Sequence, residues 1–106
     1  MKMNMQNIMQ QAQKMQEEME RVKKEAEQKT VEAEAGGGMV KVKMNGANQV
    51  VEIKISEDIV DPEDIEMLED LVVAAVNKAQ QDASAMMEEE MQKITGNLPN
   101  IPGLNF

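Results

Sequence analysis

The chain contains no cysteine, histidine, tryptophan or tyrosine, and its one aromatic residue is Phe106. Without His or Cys it lacks both the commonest general base and a thiolate, and Thr30, Ser56, Ser84 and Thr95 carry its only side-chain hydroxyls. A nucleophilic enzyme is therefore not expected. No disulfide framework points to export. No apolar run is long enough to span a bilayer, and the start, Met1-Lys2-Met3-Asn4-Met5, has neither a continuous apolar core nor a small-residue cleavage site. These absences predict a soluble intracellular protein with no membrane partner, no small-molecule substrate and no cofactor.

Acidic groups are in surplus. Twenty Asp and Glu against eleven Lys and Arg give a net charge of -9. Glu88-Glu89-Glu90 and the pair Asp61 and Asp64 offer the oxygen donors that hard metals take. Neither has EF-hand spacing or an inner glycine, so a solvated helix face is the preferred reading and no metal is expected.

At 106 residues and 42% apolar content, the chain suits a single domain, assigned to residues 1–96. Residues 97–106, with Pro99, Pro102 and Gly103, read as an extended or disordered tail. In the first segment Met1, Ile8, Met15 and Val22 recur every seven residues, as do Met5, Ala12, Met19 and Ala26. That is a coiled-coil seam. A helix from about residue 3 to residue 29 is roughly 40 Å long, and a compact domain of this size has a radius of gyration near ~13 Å. The helix must overhang its globule or pair with another.

Three strands follow. Val31, Ala33 and Ala35 alternate with polar residues; so do Val40, Val42 and Met44, and then Val51, Ile53 and Ile55. Gly36-Gly37-Gly38 marks the first turn and Asn45-Gly46 the second, the latter a strong hairpin signal. The glycines read as a turn rather than an anion nest, because no Gly-Lys-Ser/Thr follows them. A second helix opens at Asp61-Pro62-Glu63-Asp64, with an N-cap side chain and proline at the first helical position, and runs to about Thr95 with Gly96 as stop. The fold class expected is α+β: an α-β-β-β-α protomer whose three-stranded antiparallel sheet carries two long projecting helices.

The run Gly36 to Gly46, the segment Glu66-Met67-Leu68-Glu69-Asp70-Leu71 with Ala74, Ala75 and Asn77, the Met/Gln-rich first helix and the Pro/Gly/Leu-rich end before Phe106 resemble the YbaB/EbfC family of bacterial nucleoid-associated proteins. The resemblance covers nearly the whole chain. It implies a homodimer joined through its sheets, tweezers-like helical arms, a place in the cytoplasm and nucleoid, and binding to double-stranded DNA with broad sequence tolerance.

Net charge opposes that implication, because non-specific DNA binding rests on Lys and Arg contacts that release counterions. The charge is unevenly spread, however. Residues 1–29 hold six basic and five acidic groups, 30–55 three and three, and 56–106 two and twelve. If the helices fold back antiparallel with residue 29 near residue 62, Arg21, Lys23 and Lys24 fall level with Glu66, Glu69 and Asp70 and have two roles open to them, interhelical ion pairing or DNA contact. Lys14 falls level with Asn77 and Lys78, in a belt whose flanking stretches, 3–16 and 71–81, contain no acid. Lys14 and Lys78 are thus the sharper candidates for phosphate contact. Nearby Gln6, Gln10, Gln11, Gln13, Asn77, Gln80 and Gln81 either add neutral hydrogen bonds or form an ordinary polar face. Two other functions fit the same composition: a holdase-like or scaffold protein gripping hydrophobic protein surface with Met-rich arms, and an acidic mimic of DNA.

Overall fold

A computed structural model describes residues 4–96. The order is α1 (Met5–Gln28), β1 (Thr30–Ala35), β2 (Val40–Asn45), β3 (Val50–Ile55), a short 3-10 turn (Glu57–Ile59) and α2 (Ile65–Gly96). The expected α-β-β-β-α order holds. The tail expected over residues 97–106 lies outside the described residues.

The strands form an antiparallel meander, β1-β2-β3. Ala33 faces Val42, Val31 faces Met44 and Ala35 faces Val40, so one side of β1 and β2 is continuously apolar. On α2, Ala75, Ala79 and Ala83 recur every four residues and are completely buried against this side, with Leu71, Val72 and Val76 at their flanks. Alanines let the helix backbone approach the sheet closely, and the largest fully buried side chains are only Val40 and Val42.

Only the second turn differs from the simplest reading of its glycine. Gly36, Gly37 and Gly38 all adopt positive φ, as expected for the β1–β2 turn. Gly46 does not belong to that class. Asn48 supplies the left-handed residue of the β2–β3 turn, at φ 60°, and the Asn45 side chain accepts from the backbone N–H groups of Ala47 and Gln49 at 2.9 and 3.1 Å. Gly46 is required for a different reason. A Cβ there would lie 2.1 Å from the carbonyl oxygen of Ala26, because the turn is pressed against the last turn of α1.

In β3 the register shifts at a bulge: Lys43 faces Glu52 but Met44 faces Val50, leaving Val51 as the extra residue. Val50, not Val51, therefore continues the phase of Ile53 and Ile55. The start of α2 also moves. Asp61 to Asp64 form a turn, in which the Asp61 carboxylate accepts from the Glu63 N–H at 2.9 Å, and Asp64 is the N-cap, accepting from the Met67 N–H at 3.2 Å. The cap signal was correct in kind and displaced by three residues, since a proline turn completes itself before the helix begins.

Candidate nucleic-acid interface

α1 is capped by Asn4, whose side chain accepts from the Gln6 N–H at 3.2 Å. It leaves the sheet at Ala26, its one buried residue. Here Lys29 Nζ donates to Glu90 Oε1 at 2.8 Å, and Lys93 reaches the same carboxylate at 3.4 Å. The hydrogen bond and charge of Glu90 raise the Lys29 pKa. The reciprocal bond from Lys29 lowers that of Glu90 against an opposing desolvation, with Lys93 adding a lesser lowering.

This pair marks the register of the helices. Lys29 stands beside Glu90, not near residue 62 as antiparallel folding at the base would have it. The reason is the apolar face of α2. Its first two-thirds is committed to covering β1 and β2, so only its last turns reach α1. The 32 residues of α2 span about 48 Å, while the molecule is 76 Å long with a radius of gyration of 20.7 Å. α1 supplies the remainder by continuing past the end of α2. Counting outward from the pair, Gly96 falls about level with Lys23, and residues 5–22 of α1 form an arm roughly 26 Å long.

The lysine belt across both helices is therefore not formed within one protomer. Lys14 and Lys78 lie on opposite sides of the Lys29–Glu90 pair, separated by about 40 Å along the axis. Nor do Glu66, Glu69 and Asp70 neutralise the basic residues of α1. Arg21 is held within its own helix by Glu18 and by Glu25, the latter at 3.1 Å, and these carboxylates raise its pKa. Among the described residues, Lys14, Lys23, Lys24, Lys41 and Lys78 take part in no ion pair, and all five are exposed. Three of them are on α1. The acids at positions 57–70 are near the opposite pole of the rod, and between positions 4 and 16 Lys14 is the only charge.

The model of the YbaB/EbfC DNA-binding family matches residues 1–98. The chain belongs to the YbaB/EbfC family. Similarity to individual YbaB/EbfC relatives runs equally far. A nucleoid-associated protein of Thermoanaerobacter pseudethanolicus is 56% identical over 101 residues, covering 95% of this chain and 90% of the relative. One from Alkaliphilus metalliredigens is 52% identical over 101 residues, covering 95% and 88%. Among solved structures, an uncharacterized protein of Helicobacter pylori superposes with a TM-score of 0.59 at 23% identity, over 81% of this chain and 95% of that one. That likeness concerns the fold. In this YbaB/EbfC chain no described helix is long and apolar enough to cross a membrane.

One surface escaped the sequence reading. The apolar face that α2 covers on β1 and β2 continues onto β3 uncovered, where Val50, Ile53 and Ile55 are 44%, 42% and 40% exposed. Val60, Ile65 and Val73 are also exposed. Alternation in β3 was visible in the sequence, but which strands the helix would cover was not.

Proposed function

We propose that this YbaB/EbfC protein is a homodimer that binds duplex DNA in the nucleoid of the cytoplasm, with little sequence specificity, by contacting phosphates from α1. The observation that carries the reading is the projecting arm. Lys14 is exposed and without an ion pair on the arm, and Lys23 and Lys24 are equally so at its base, on a helix that also carries Glu17, Glu18 and Glu20. Contacts of this kind position a protein on the duplex without reading bases, and Gln10 and Gln13 add neutral donors along the arm. Arg21, clamped by two carboxylates, contributes less. Lys78 sits too far along the axis to share a phosphate stretch with Lys14 in the same protomer, so any phosphate it meets belongs to a separate stretch.

Dimerisation rests on the open apolar face of β3, which lies at the edge of the sheet and invites pairing. The test is duplex-DNA affinity across a salt series. K14Q, K23Q and K24Q combined are expected to reduce the slope of log K against log salt by between about 2 and 3, at ~0.9 for each phosphate left without its lysine, and K78Q by at most ~0.9. An unchanged slope in the triple variant overturns the assignment. Exposed Met5 and Met9, at 74% and 62%, favour the second reading of an arm gripping hydrophobic protein surface. Suppression of aggregation without any DNA affinity would establish that reading instead.

A further inference from the structure

We propose that the apolar seam of α1 is completed by the same segment of a second copy of this chain, the two arms pairing antiparallel over residues 5–22. Within the protomer an antiparallel helix already covers the inner end of the seam. α2 runs outward from the Lys29–Glu90 pair, opposite in direction to α1, and packs against it. There Ala26 and Ile94 are buried and Val22 is half-buried. α2 then ends about level with Lys23, while the seam goes on through Met19, Met15, Ala12, Ile8 and Met5, all exposed except the half-buried Met15. A second α1 laid antiparallel on the first runs in the direction of α2 and takes up its path where α2 stops.

The side chains favour this register. Met5 meets Val22 of the second copy, Ile8 meets Met19, and the smallest seam residue, Ala12, is filled by Met15, whose flexible side chain suits the space. The overlap uses the whole of both bare arms and stops at the end of each α2. Parallel arms in register would stack Ala12 on Ala12 and leave a gap between Ile8 and Met15. Their one gain, Glu18 facing Lys23 across the seam, is an exposed ion pair worth little. Charge favours the antiparallel pair as well. It sets the outer part of each arm, where Lys14 is the only charge between residues 4 and 16, against the inner part of the other, where Glu17, Glu18, Glu20 and Glu25 outnumber Arg21, Lys23 and Lys24. Lys14 and Lys24 lie away from the seam and stay in solvent. The arm holds roughly two and a half heptads, fewer than the sustained repeat of a self-standing coiled coil, so the pairing is weak and depends on concentration. It requires neither DNA nor the β3 face.

The chain has no cysteine of its own. In full-length protein under mild oxidation, an equimolar mixture of I8C and M19C chains, one of them isotope-labelled, is expected to form the mixed disulfide at least about tenfold faster than either variant forms bonds with itself. Equal rates, or faster bonds among I8C chains alone, overturn the proposal. Amide hydrogen exchange across residues 5–22 is expected to slow as protein concentration rises, and I8E to abolish that dependence while β1 to β3 keep their protection. Exchange in the arm that is independent of concentration, or a dependence that I8E leaves intact, also overturns it.

Discussion

Gly46 and Gly37 show that two glycines in one small sheet are held by different constraints. Gly37 has a positive φ of 66° with nothing within 4 Å of an added Cβ, so G37A meets only the backbone penalty of about 1–2 kcal/mol. At Gly46 the obstacle is the Ala26 carbonyl, and the Gly46 N–H also donates to the Lys29 carbonyl oxygen at 3.1 Å. Backbone has nowhere to go without parting α1 from the sheet. G46A is expected to cost about 3 kcal/mol or more, the upper end of overpacking, and urea unfolding of the two variants side by side checks the order. If G46A is the milder of the two, the close packing of α1 on this turn is not what constrains the position.

Among the elements, α2 does two jobs in succession. Its alanine ridge fits the sheet, so A79L should lose about 1–3 kcal/mol through overpacking even though leucine is a good helix former. A gain in thermal stability would show room between helix and sheet that a fully buried Ala79 does not suggest. The last turns hold α1 through Glu90. Because its pKa is lowered in the folded protein, the stabilisation it brings is complete above the unfolded carboxylate pKa and fades as pH falls through the folded value. The raised pKa of Lys29 sets the alkaline limit, with that contribution lost as pH rises through the folded lysine value. E90Q should thus lower the melting temperature slightly at neutral pH and leave it unchanged in acid below the carboxylate range. A deficit that persists in acid would assign the effect to packing.

For the whole molecule, a 76 Å rod with an uncovered apolar strip is the feature on which the proposed dimer rests. Placing a charge on that strip with I53E is expected to halve the solution mass while helix content is retained. A variant that remains the size of the wild type would move the interface elsewhere. Along the same rod the acids of residues 57–70 gather near one pole, while α1 carries four basic and five acidic side chains, with Lys14 the only charge between residues 4 and 16. In a protein of net charge -9, the outer half of α1 is thus where the proposed phosphate contact meets least repulsion.

Much of this was legible in the sequence. Alternation in three short runs specified the strands, heptad spacing specified α1, and Asp61-Pro62 with Gly96 bracketed α2 to within three residues of its observed start, because each of these signals depends on residues only a few positions apart. The family was legible for the same reason, being carried by local runs in a set order. Where Lys14 and Lys78 lie relative to each other was not. That depends on whether the apolar face of α2 is buried by sheet or by helix, a choice between partners distant in the chain that no local period encodes. The bulge at Val51, the true task of Gly46 and the uncovered face of β3 arise the same way, from which surfaces meet when the chain closes on itself. Local residues determined the elements, and only tertiary packing decided which lysines share a surface and which apolar face is left open.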